Sequence, residues 1–234
     1  MIHNKGALLL ALALVAGHMP ATHAALDGAE PKRWQFEVLL DDKPIGEHTF
    51  ELANEGDRHV LESKASFDVK FLFVTAFRYR HQSTEIWNDN CLTSIDATTD
   101  SNGKRQTVRG ASRNNRFSLE RPDASALPEC VQTFAYWNPD VLESTELLNS
   151  QTGAYEAVAI SWDGRDAVDV AGTPVEADRY RIGTRKGDIT LWYSVADQTW
   201  LALEAPAKGG RTLAYRPTRV PLDTQDKNLV ARGD

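Results

Sequence analysis

The chain is poor in several residue types, and each shortage excludes a class of protein. Its 234 residues include two cysteines, two methionines, ten prolines and 15 glycines. That is too little Pro and Gly for a collagen-like or low-complexity chain, and a 41% apolar content is too high for wholesale disorder. Basic residues are in deficit, 26 against 33 acidic ones, for a net charge of -7. A broad nucleic-acid surface needs clustered Lys and Arg, so nucleic acid is not an expected partner. The length suits one domain with a substantial core.

Long apolar runs are also missing. The one conspicuous run, residues 6–17 (GALLLALALVAG), is twelve residues long. A transmembrane helix needs about 20. Lys5 precedes the run, and Thr22 and Ala24 follow it at the positions a signal peptidase reads. The expectation is a signal peptide over residues 1–24, cleaved after Ala24, then a β domain over 25–234 with no transmembrane segment. No cysteine follows the run to carry a lipid, so the product is expected to be soluble and periplasmic. Cleavage would remove Lys5 and three of six histidines, leaving His48, His59 and His81.

The catalytic signatures are absent too: no G-x-S-x-G, H-E-x-x-H, P-loop or G-x-G-x-x-G. Three scattered histidines leave little for a triad or a metal site, so no catalytic residue, metal or cofactor is assigned. Cys91 and Cys130, without a C-x-x-C motif, are expected to form a structural disulfide in an oxidising compartment. Closing a loop of about 40 residues contributes roughly 4 kcal/mol in the chain-entropy model.

What is present reads as strands. Residues 34–40 and 45–52 flank Asp41-Asp42-Lys43-Pro44, and 91–99 and 104–111 flank Asn102-Gly103, the strongest short-range hairpin signal. Short alternating runs follow at 116–120, 168–170, 175–182, 189–195, 200–204 and 212–215. Only residues 140–149 (DVLESTELLN) show helical spacing, with Val141, Leu142, Thr145 and Leu148 on one face. The fold class is all-β and mainly antiparallel: a curved open sheet or half-closed barrel with one or two short helices.

The stretch 59–87 is 29 residues without Gly or Pro. At about 3.3 Å per residue it would extend roughly 95 Å, too far for one strand, so it must reverse, and residues 70–76 (KFLFVTA) are the place. Beyond the reversal, Phe77, Tyr79, His81, Ser83, Glu85 and Trp87 share a face opposite Arg78, Arg80, Gln82 and Thr84. The basic face suits solvent and the other the sheet's concavity. Either Tyr79, His81 and Glu85 line an aromatic pocket, or His81 and Glu85 are a satisfied cross-sheet pair. Phe71, Leu72, Phe73 and Val74 are either packed core or a lid or membrane-dipping tip. Tyr136, Trp137 and Asn138, next to Pro139, form either one rim of a ligand cleft or a plug across one end of the sheet. The basic stretch Lys104, Arg105, Arg109, Arg113 and Arg116 is either a solvated face or a peripheral contact with anionic lipid headgroups.

The pattern F-x-V-x-F-L-F-x-T-A-x-R-Y-R-H (residues 67–81) with E-I-W (85–87) resembles a family of secreted bacterial proteins of unknown function. T-F-A-Y-W-N-P (133–139), L-L-N-x-Q-T-G (147–153), L-W-Y-S (191–194) and G-G-R-x-L-x-Y-R (209–216) carry the same resemblance across nearly all of the chain after the leader. It implies a fold and an exported location but no catalytic residue. More distantly, the chain looks like the half-closed barrels of periplasmic lipoprotein carriers, a fold-level analogy.

The candidate ligand-binding set is therefore Phe71, Phe73, Phe77, Tyr79, His81, Glu85, Trp87, Tyr136, Trp137 and Asn138. The leading expectation is a non-enzymatic binder or carrier of an apolar or amphipathic, lipid-like molecule. The alternatives are a small-substrate enzyme using His81 and Glu85 with Tyr136, and an envelope structural or assembly factor working through edge strands.

Overall fold

Alternation of apolar and polar residues, broken by two-residue turns, lays the chain out as an antiparallel meander. The computed structural model describes residues 30–71, 74–114, 116–121 and 126–222. The signal-peptide expectation and Phe73 lie outside these residues, and Phe71 and Val74 are described only as strand backbone.

Seven strands come first: β1 (Lys32–Leu40), β2 (Lys43–Glu55), β3 (Arg58–Phe71), β4 (Val74–Asn88), β5 (Cys91–Ser101), β6 (Lys104–Arg113) and β7 (Arg116–Leu119). A central segment follows, with a 3-10 turn (Pro139–Glu143) and the small hairpin β8 (Glu146–Leu148) and β9 (Tyr155–Ala157). Five more strands complete it: β10 (Ala159–Val170), β11 (Thr173–Thr184), β12 (Gly187–Ser194), β13 (Trp200–Ala207) and β14 (Arg211–Arg219). Twelve strands form one sheet, ordered β10-β11-β12-β13-β14-β1-β2-β3-β4-β5-β6-β7. Two meanders are thus joined where β1 pairs antiparallel with β14. The sheet is open, with β10 and β7 at its edges. Ladder irregularities in β1–β2, β1–β14, β3–β4, β4–β5, β10–β11 and β12–β13 give it the curl that bulges produce.

The turns follow their residues. Asn102 and Gly103 take φ values of 53° and 86°, and Asp41 and Asp42 take 49° and 62°. Consecutive left-handed residues match the twist of the flanking strands. Asp41 also accepts bonds from Thr212 N (2.9 Å) and Arg211 Nε (2.7 Å), tying the β1–β2 turn to β14. The Gly-free stretch 59–87 does reverse where length requires, since β3 ends and β4 begins with Phe71 opposite Val74.

Residues 140–149 are not a helix. Pro139 starts one 3-10 turn capped by Asn138, and the chain then extends into β8. Leu148 exchanges backbone bonds with the preceding segment, to Gln132 O at 2.8 Å and from Phe134 N at 3.3 Å. Those bonds and the burial of adjacent Leu147 and Leu148 outweigh the weak propensity of so short a segment to be helical. β10 begins nine residues before the run at 168–170, because its exposed centre lacks alternation. It pairs with β11 along its whole length, and ion pairs such as Arg179–Asp166 (2.6 Å) and Arg165–Asp178 (2.8 Å) bridge the two strands.

The core fills the concave side. Trp200 packs against Phe36 (ring centroids 4.5 Å), Phe50 (5.2 Å) and Tyr136 (5.5 Å). The central segment lies across this aromatic cluster, burying Val131, Ala135, Tyr136, Val141, Leu147 and Leu148. Cys91 and Cys130 are bonded as expected, beside the Leu92 N to Val131 O bond of 3.0 Å. The disulfide thus fastens the start of the central segment to β5.

Candidate functional site

Between the sheet and the central segment lies a cavity of about 360 Å³, within the range of small-molecule sites. β4 supplies one wall because its alternation turns Tyr79, His81, Ser83 and Glu85 inward at two-residue intervals. β2 and β3 add His48, Phe50, Leu61 and Ser63, β13 and β14 add Trp200, Leu203 and Tyr215, and the central segment adds Tyr136. The exposed Gln151 and Lys186 mark its mouth.

Buried polar groups dominate the β4 wall. Ser83 is 5% exposed and makes no side-chain hydrogen bond among the described residues. His81 bonds Thr99 Oγ1 through Nδ1 at 2.9 Å, leaving Nε2 without a partner among those residues. Burial pushes its imidazole down to about 4. Glu85, 2% exposed, accepts a 3.0 Å bond from the Thr133 hydroxyl at Oε2 and has no ion pair among the described residues. Burial pushes Glu85 up to about 7, against the opposing influence of that hydroxyl and the Trp87 indole. The Trp87 N–H itself forms no hydrogen bond of good geometry. His81 and Glu85 are thus not a hydrogen-bonded pair: each takes a threonine, and they stand about 13 Å apart along the strand by rise.

A second polar chain crosses the cavity. His48 Nε2 lies 2.7 Å from Ser63 Oγ, and His48 Nδ1 lies 3.1 Å from the Tyr215 hydroxyl. Burial, and secondarily the nearby His81, hold His48 well below the ordinary imidazole value. Burial likewise raises the phenols of Tyr79, Tyr136 and Tyr215 above their ordinary value. Apart from the carboxyls of Glu85 and Glu156 and the exposed Lys186, the lining is therefore made of neutral hydrogen-bonding groups set among aromatic and aliphatic surface.

Of the expected ligand-binding residues, Tyr79, His81, Glu85 and Tyr136 meet in this cavity. Trp87 is fully buried in the core, and Trp137 packs edge-on against it at 5.7 Å. Asn138 caps the 3-10 turn by accepting from Asp140 N at 3.0 Å and donates to Asn90 Oδ1 at 3.2 Å. Trp137 and Asn138 thus anchor the central segment instead of forming a rim, because the turn at Pro139 directs them away from the cavity. Phe77 is 38% exposed near the β3–β4 turn and does not line the cavity. His48, Ser63 and Tyr215 were not anticipated. His48 shares the alternation of Phe50 and Leu52, and that was the available signal; Tyr215 carried none.

Among the described residues, no three His, Cys, Asp or Glu side chains gather to hold a metal ion, and no helix is long and apolar enough to cross a membrane.

The architecture and cavity define an open, curled antiparallel β protein with a polar and aromatic pocket on its concave side. Its likeness to solved structures includes the crystal structure of a beta-barrel-like protein of the domain of unknown function DUF1849 from Brucella abortus, with a TM-score of 0.61 at 12% identity. That match covers 83% of this chain and 98% of the other, and it speaks to fold alone. The chain belongs to the family described as domain of unknown function DUF6134, whose model matches residues 36–218. No curated protein matches the chain.

Proposed function

We propose that this protein is an exported, non-enzymatic binder or carrier of a small amphipathic molecule held in the concavity of its sheet. The observation that carries the reading is a cavity of about 360 Å³ onto which polar groups of β4, among them Ser83 and His81 Nε2, open without protein partners among the described residues. A ligand that hydrogen-bonds these groups gains specificity from them. Phe50, Leu61, Trp200 and Leu203 offer the apolar surface for the rest of such a molecule. The apolar run at residues 6–17, read as part of a signal peptide, is what favours an exported location, and the curled open sheet suits the half-barrel analogy. Burial makes His48 a weak base, so its chain with Ser63 and Tyr215 is read as ligand-positioning, not as an activated nucleophile.

Protein purified without detergent should release, on organic extraction, a near-stoichiometric molecule with an apolar portion, identified by mass spectrometry. Ser83→Phe fills the cavity from β4 and should emerge folded by circular dichroism but empty. Protein that releases nothing and fails to take up the neutral apolar dye N-phenylnaphthylamine would overturn the reading.

A further inference from the structure

Glu85 is a buried carboxyl with no counter-ion. It is 2% exposed, uses one oxygen for the Thr133 hydroxyl, and lines the cavity with no ion pair among the described residues. The charged and titratable groups sharing the cavity are His48 on β2, Tyr79 and His81 on β4, Tyr136 in the central segment, Glu156 on β9, Lys186 in the β11–β12 turn and Tyr215 on β14. Burial favours the neutral form of both histidines and all three tyrosines. Glu156 is buried and bonded by Asn149 Nδ2 at 3.1 Å, while Lys186, the one lysine or arginine of the lining, is exposed at the mouth.

An anionic ligand head would therefore meet carboxyls and neutral groups in the depth of the cavity. A neutral hydroxyl could donate one hydrogen bond to Glu85 but would leave its charge, once formed, uncompensated. A cation supplies both a donor and the missing opposite charge. We propose that the ligand's polar end is an organic cation, of the class of primary ammonium groups on an apolar chain, seated on the Glu85 carboxylate. The inference rests on the reading of the cavity as an amphipathic-ligand site.

The test uses three probes with one tail: octylamine, octanol and octanoate, titrated calorimetrically into the full chain at about pH 8, where the amine is charged. Octylamine is expected to bind at least about tenfold more tightly than either of the others, a difference that Glu85→Gln should abolish. Octanol or octanoate binding as well as octylamine would overturn the cation while sparing the amphipathic reading. If none of the three binds, both fall. Should Glu85→Gln not fold, the wild-type ranking decides alone.

Discussion

Glu85 and His81 are buried on the same face of β4, and burial moves their titrations in opposite directions, to about 7 and about 4. A carboxyl raised in the fold contributes stability that is complete below its unfolded value of about 4.5 and is lost as pH rises through about 7. An imidazole depressed in the fold contributes stability that is present above its unfolded value of about 6.5 and is lost as pH falls through about 4. Between those limits the two slopes oppose each other. Glu85→Gln should therefore gain on the wild type as pH rises from about 4 to 8, by up to roughly 3 kcal/mol. His81→Asn should gain on it as pH falls across the same window. Urea unfolding at stepped pH measures both, and a Glu85→Gln difference that stays flat with pH would refute the burial argument.

The same residues show how far the primary structure could be read. Tyr79, His81 and Glu85 were legible because a strand's period of two assigns faces without knowledge of neighbours. What stands opposite them was not. Tyr215 reaches His48 across 167 residues of sequence, and nothing local in G-G-R-x-L-x-Y-R says which strand it will face. Trp137 and Asn138 misled for the same reason: aromatic rings beside an amide suit a cleft and an anchor equally well, and only the packing on Trp87 separates the two.

Among elements, the β2–β3 pair and the central segment carry constraints that single substitutions can expose. Gly46 lies where β2 passes β3 so closely that an added Cβ would stand 1.9 Å from the Ser66 carbonyl oxygen. Gly46→Ala must push the backbones apart and should cost more than about 2 kcal/mol, read from urea midpoints. The disulfide acts on a different element. Cys91→Ala with Cys130→Ala should cost about 2–5 kcal/mol in stability. Hydrogen exchange should rise first at Leu92, whose N–H bonds Val131 O beside the bridge. Uniform loss of protection across all strands would instead mean that the disulfide stabilises the sheet as a whole. The helical spacing in 140–149 failed at this scale as well, since Leu148 donates to Gln132 O and accepts from Phe134 N instead.

For the whole molecule, the determining feature is the junction of β1 with β14. Its register sets Val38 opposite Tyr215 and Leu40 opposite Leu213, so that the last described strand lies between the first meander and the second. This pairing brings the two meanders' cavity-lining residues together on one side of the sheet, with His48 from one meander bonded to Tyr215 from the other. The all-β class and the turn positions could be read in advance, but this order of strands could not, because alternation specifies faces and not partners. A chain ending before Arg211 should lose the junction and show no cooperative melt in circular dichroism.

That junction also fixes when the cavity can form. A ribosome delivers β1 to β7 long before β14 exists, and the first meander must wait with the edge of β1 unpaired. The cavity, lined by Tyr215 of β14, is consequently absent until that strand has been made. On the proposed reading, no shorter nascent fragment would hold a ligand, and loading would wait for the strand that closes the junction.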